Sequence, residues 1–275
     1  MRTIAEVLQA ANACGGIGKA ALRWQAEQDG TSEEKALERM RRALSVMRDS
    51  VREGLSPELR SVSGMVGGNA ARLMSPALLE RSGMFGRACA YALAVAESNA
   101  CMGKIVAAPT AGSCGILPAA LLAAQEADGF SDEALIDALF TAAAIGRVIA
   151  LQATISGAAG GCQAECGAAA GMAAAALCAL YGATPEQSAD ACAFALMNML
   201  GLVCDPVRGL VEVPCVYRNV GGVSQALAAA QLALAGVPSP LGCDDVIHAM
   251  RDVGDAMPPS LRETGEGGCA ACALR

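Results

Sequence analysis

Between Val148 and Pro185 the chain carries one charge, the carboxylate of Glu165. The rest of that run is mostly Ala and Gly. A helix without a polar face has to be buried on nearly all sides. Small side chains fill little space, so the elements around it must approach closely to reach the density of a protein interior. Tightly packed helices satisfy that requirement. Aromatic residues make up only 3% of the chain and hydrophobic residues 54%. Period-2 runs of β-branched and aromatic residues, the mark of strands, are nearly absent. The expectation is an all-α fold, a single compact helical domain with Gly/Pro-rich active-site loops.

Helix periodicity supports this. Ser32 precedes two acids and opens an amphipathic stripe through Leu37, Met40, Leu44 and Met47. Further helices are expected over about 77–103, 133–154, 164–182, 185–201 and 217–236. Glycine clusters interrupt them at 61–69 and 156–162, and a turn-rich segment covers 107–119. Residues 1–60 read as an N-terminal helical segment packing on a main body of residues 61–275. The Ala-rich runs read as buried helices of a soluble protein, with a polytopic membrane protein as the alternative, because a span needs about 20 strongly apolar residues and Ala is only weakly apolar.

Charge narrows the chemistry. Twenty Lys and Arg against 27 Asp and Glu leave a net charge of −7, with no basic stripe interleaved with aromatics, so no nucleic acid is expected as a partner. The lysines are Lys19, Lys35 and Lys104, and His248 is the one histidine. A mechanism needing two histidines from this chain is excluded. Thirteen cysteines behind an N-terminus that lacks a secretory signal point to a reducing cytoplasm. Cys89, Cys101, Cys178 and Cys192 lie in Ala-rich helical stretches and read as small core hydrophobes.

Cys162, Cys204 and Cys215 differ in setting, each lying in a loop or at an element boundary (GGCQ, VCDP and VPCV). Three thiolates and one open position would suit an iron–sulfur cluster with a substrate-accessible iron. Their separations of 42 and 11 residues match no common ferredoxin pattern, so chance placement competes with that reading. For Glu165 two readings stay open: a carboxylate satisfied by backbone amides or an arginine, and a tuned acid or base beside a metal site. The loop Pro109–Ser113 gathers two hydroxyls and a glycine ahead of a helix, a setting that favours a carboxylate ligand. Cys269 and Cys272 form one C-x-x-C without a second pair and read as a mobile tail.

The segments SGAAGGCQAECG, LGLVCDPVRGLVEVPC, APTAGSCGILPA and LRETGEGG resemble the alpha chain of the iron–sulfur-dependent L-serine dehydratases, over about residues 45–268. The resemblance implies a cytoplasmic, oxygen-sensitive lyase of amino-acid catabolism and gluconeogenesis. It would convert L-serine to pyruvate and ammonia. It implies a 4Fe–4S cluster on Cys162, Cys204 and Cys215, with Cys114 and Cys166 as packing. It also implies a separate beta chain with an ACT-type regulatory domain, from which a catalytic histidine could arrive, because fused relatives carry a Ser-His-Thr motif in that portion. On this reading the substrate carboxylate docks on Thr110, Ala111, Gly112 and Ser113, with help from Asn69, and Glu165 is an in-chain candidate for the base. Other readings are a related iron–sulfur L-cysteine desulfidase, a redox-sensing iron–sulfur protein, and a pyridoxal-phosphate dehydratase built on Lys104. The last is disfavoured because no phosphate-cradling glycine loop follows a strand. The motifs do not separate serine from cysteine or threonine.

Overall fold

The charge-poor run forms the axis of the molecule. In the computed structural model, which describes residues 1–274, the helix Ala168–Leu180 is buried at every residue except Ala179. In chain order the helices are α1 (Ile4–Cys14), α2 (Ile17–Gln28), α3 (Glu33–Gly54), α4 (Ala70–Leu73), α5 (Pro76–Ala100) and α6 (Ile116–Asp128). There follow α7 (Asp132–Gln152), α8 (Gly157–Gly160), α9 (Ala168–Leu180), α10 (Pro185–Met199), α11 (Cys215–Leu234) and α12 (Cys243–Ala256). Among the described residues there is no strand, only one isolated bridge between Cys204 and Arg262. The all-α expectation holds.

Helices α6, α7, α10 and α11 surround α9, and small residues set how close they come. A Cβ on Gly146 of α7 would lie 2.7 Å from the sulfur of Met172, and one on Gly171 would lie 3.0 Å from that of Cys192. On α11, a Cβ on Gly222 would overlap the fully buried Ile116 of α6. The N-terminal helices add Ile4, Val7, Ile17, Leu44 and Met47 to the same apolar core.

Local signals explain the helix starts. Thr3, Ser32 and Ser131 each accept a hydrogen bond from an amide in the first turn, and Thr184 closes a capping box with Gln187. Arg48 of α3 ties α7 to α6: it donates to Asp132 at 2.8 Å and to Gln125 at 2.9 Å.

Several boundaries differ from the sequence reading. The helix expected from 77 begins at Pro76 and is broken at Gly83, whose φ of 54° lies in the left-handed region. The helix expected from 164 begins as a π turn over Gln163–Gly167 and becomes regular only at Ala168. Helix α12 was not anticipated, although its buried Val246, Ile247, Met250 and Gly254 follow helical spacing. The C-terminal tail is docked: the amide of Cys269 donates to the Asp205 carboxylate, which anchors the turn Gly268–Ala271. Asp132–Gln152 and Gln163–Leu180 are long and apolar enough to cross a membrane, yet 67% and 89% of their most apolar windows are buried inside the fold.

Two neighbouring glycines test the close-packing account. Gly222→Ala should destabilise the protein by about 1–3 kcal/mol through overpacking. Gly221→Ala, with nothing within 4 Å of its Cβ, should stabilise it by about 0.5–1 kcal/mol through helix propensity; urea unfolding reads both. Hydrogen bonds from Arg48 and then Gln125 lower the Asp132 pKa to about 2. The stabilisation from this group is therefore present above the ordinary carboxylate value and lost as pH falls toward 2. Asp132→Asn should flatten the acid limb of the stability–pH profile over that window.

Candidate functional site

The site forms where regular helix packing stops. Four segments meet there: the turn Ala111–Ser113 ahead of α6, the π turn Gln163–Gly167, the loop around Cys204, and the first turn of α11. A π turn inserts an extra residue into the helical ladder and is common at functional sites. Here it carries Glu165.

Glu165 is joined to the predicted substrate loop. Its Oε1 accepts a 2.8 Å hydrogen bond from Thr110 Oγ1, which lies 3.2 Å from Ser113 Oγ. Gly112 packs against the same carboxylate: a Cβ there would lie 3.2 Å from Oε1. On the other side, a Cβ on Gly157 would lie 2.6 Å from Glu165 Oε2 and 2.9 Å from Cys204 Sγ. Glycine at 157 therefore keeps open the space between that carboxylate and that thiol. Burial raises the Glu165 pKa, opposed by the Thr110 hydrogen bond, and the neighbouring charge of Glu263 adds to the rise.

The three singled-out cysteines come into one neighbourhood. Cys162 immediately precedes the π turn and is 3% exposed; Cys215 is the first residue of α11. Burial pushes the Cys204 thiol up, followed by the charges at Glu165, Cys162 and Cys215. Cys215 is raised to about 12 by burial and then by the charge at Cys162. Cys162 moves the other way, held down first by a hydrogen bond with Cys166 and then by the guanidinium of Arg218. Cys166, expected only to pack, has its sulfur 3.4 Å from that of Cys162.

Cys162, Cys204 and Cys215 are free thiols, the donor type that an iron–sulfur cluster takes. Among the described residues, no three His, Cys, Asp or Glu side chains converge closely enough to hold one metal ion. Buried thiols deprotonate on binding metal. The gap kept by Gly157 beside Cys204 is where a larger side chain would intrude.

Several residues that hold the site were missed in the sequence. Asn219, 1% exposed, accepts from the Gly115 amide at 2.9 Å and donates to the carbonyls of Gly112 at 2.8 Å and Cys215 at 2.9 Å. It thereby fastens the substrate loop to the Cys215 turn. Arg218 pairs with buried Asp205 at 2.7 Å and donates to the Val203 carbonyl. Cys204 is held by LRETGEGG: its amide donates to Leu261 at 2.9 Å and its carbonyl accepts from Glu263 at 2.6 Å.

Asn69 does not hydrogen-bond to the Thr110 loop. Its side-chain amide donates at 2.9 Å to Glu97, a fully buried carboxylate that also accepts from the backbone of Gly67, Asn69 and Ala70. Two residues on, Asn99 donates to the Ala111 carbonyl, so the end of α5 anchors both loops. Glu212 likewise gathers the hydroxyls of Ser61 and Ser63. Glu97 had a legible signal, since it is the one charge between Arg87 and Lys104 and so meets the criterion that singled out Glu165. Lys104 and His248 are both exposed.

The family model described as "Serine dehydratase alpha chain" matches residues 5–270. The chain is 49% identical over 250 residues to a protein of Bacillus subtilis named probable L-serine dehydratase, alpha chain, covering 87% of this chain and 81% of the relative. It is 42% identical over 274 residues to the L-serine dehydratase alpha chain of Peptoniphilus asaccharolyticus, covering 98% and 94%. An Escherichia coli relative, named L-serine dehydratase TdcG, is 44% identical over 182 residues, which is 66% of this chain and 40% of that longer protein.

Removing Asn219 should loosen the site. Asn219→Ala leaves a buried amide and two carbonyls short of partners and should cost about 1–3 kcal/mol. Urea unfolding gives the loss, and hydrogen exchange at the Gly115 amide should accelerate beyond the global effect.

Proposed function

Because the chain belongs to the serine dehydratase alpha-chain family, we propose that it is the alpha chain of an L-serine dehydratase that forms pyruvate and ammonia by α,β-elimination. The observation that carries the reading is the meeting of Glu165, Thr110 and Cys204 around the gap kept by Gly157. The proposed cofactor is a 4Fe–4S cluster on Cys162, Cys204 and Cys215. When bound it supplies a Lewis-acidic iron for the departing β-hydroxyl. A cytoplasmic setting suits an enzyme whose described cysteines are all free thiols.

The chain's own groups position the substrate. The turn from Thr110 to Ser113, leading into α6, is the proposed dock for the serine carboxylate, and Thr110 spends its one hydroxyl proton on Glu165 Oε1, which holds that carboxylate against the turn. Asn219 fixes the backbone of that turn. Glu165, its pKa raised by burial, can hold a proton at Oε2 while Oε1 accepts from Thr110. In the reaction the Cα–H and Cβ–O bonds break and water leaves. The aminoacrylate becomes the imine, which water hydrolyses. The lone His248 is an exposed residue of α12, so a histidine base for the α-proton is assigned to a partner beta chain. The "alpha chain" in the relatives' names supports such a partner.

Anaerobic reconstitution with iron and sulfide tests the reading. The wild type should gain a broad visible absorbance that Cys162→Ser, Cys204→Ser and Cys215→Ser each lose, while Cys178→Ser, in the core of α9, keeps it. With a beta chain present, L-serine should yield pyruvate, and Thr110→Val should lower kcat/KM about ten- to hundred-fold. Sulfide release from L-cysteine without pyruvate from L-serine would favour a desulfidase. No absorbance in the wild type would overturn the cluster.

A further inference from the structure

A cavity lies among the N-terminal helices, and none of the candidate-site residues lines it. It measures about 400 Å³ and opens between α2, α3 and α7. Such a volume is within the range of small-ligand sites.

The cavity has a structural cause. At one end α2 lies directly on α7: a Cβ on Gly18 would overlap the backbone and carboxylate of Asp137. Further along both helices Trp24 meets Arg147, and a bulky pair replaces that close contact. Ala21, Ala36, Ala43, Ala143 and Ala144 line the space between, and none of them is long enough to fill it. Met40, Phe140 and the Trp24 ring complete an apolar wall.

The polar groups decide what the cavity would hold. The Arg147 guanidinium stacks on the Trp24 ring, 4.3 Å from its centroid. Stacking occupies the face of the guanidinium and leaves its N–H edges free. Among the described residues Arg147 has no acidic partner. Of the other charged groups on lining residues, Asp29 and Arg39 pair with each other at 2.7 Å, and the Met1 ammonium lies 3.7 Å from the Glu6 carboxylate. The cavity is therefore left with one uncompensated positive charge in a chain whose net charge is −7. A planar, pre-oriented guanidinium at the edge of an apolar space matches a carboxylate carried on an apolar body.

We propose that this cavity is a binding site for a small aliphatic carboxylate, with its apolar part against Trp24, Met40 and Phe140 and its carboxylate on Arg147. The site is independent of the elimination chemistry.

Trp24 is the sole tryptophan, so its emission reports the cavity directly. The full chain would be titrated with hexanoate, with 1-hexanol and hexylamine as neutral and cationic matches. Hexanoate should shift the emission saturably and bind at least tenfold more tightly than either match. Arg147→Gln should weaken hexanoate about tenfold or more, Arg147→Lys should retain part of the affinity, and Ala143→Leu, which fills the space, should abolish binding. Residue 147 is exposed, and circular dichroism confirms that each variant is folded. Absence of a saturable shift, equal binding of hexanol, or an Arg147→Gln variant with unchanged affinity would overturn the proposal. Cluster absorbance should be unchanged in all three variants, which separates failure here from failure of the dehydratase reading.

Discussion

The fold depends on burying a helix that has almost nothing large to bury. Helix α9 offers Ala, Gly and Cys at most positions and is enclosed nearly completely. Each of these side chains gains little from leaving water, because the gain scales with apolar area. Stability therefore has to come from dense contact between backbones at short range. Glycines at the interfaces set that approach: Gly146 against Met172, Gly171 against Cys192, Gly222 against Ile116.

The candidate site uses the same device for a different end. Where the helix at the axis begins, it widens into a π turn, and glycine at 112 and 157 leaves room beside a carboxylate instead of beside a methyl group. Buried acids then organise the surrounding loops. Glu97 collects three backbone amides and the Asn69 side chain, and Glu212 collects two hydroxyls. A buried carboxylate is tolerated when donors surround it. Here that requirement fixes the geometry of segments rich in glycine. The thiols of Cys162 and Cys166 lie at the same place, where Arg218 supplies a balancing positive charge.

Much of this was legible. Serine before an acid-rich turn marked the start of α3, and the absence of alternating β-branched runs excluded a sheet. Cysteines beside Gly and Pro were separated from cysteines in Ala-rich helices, and in the fold Cys204 and Cys215 each feel the charge at Cys162. The Thr110 loop and Glu165 were each noticed alone. That one donates to the other was not legible, since 55 residues separate them and neither motif refers to the other. Asn219 sits in a helix whose surroundings gave it no distinction, and its three hydrogen bonds reach across to residues more than 100 positions away as well as one turn back. Asn69 was read as facing substrate, whereas its amide is committed to Glu97.

By itself the sequence determined the class of fold, the need for close helix packing and the small set of groups able to do chemistry, because these follow from residue type and local spacing. Tertiary structure alone decided which of those groups meet. It placed Glu165 between Thr110 and Cys204, bound the tail to Asp205, and left Arg147 unpaired beside Trp24 over a cavity. Such pairings depend on how helices far apart in the chain are laid against one another. That arrangement is fixed by the packing of the whole core and is not written in any single segment.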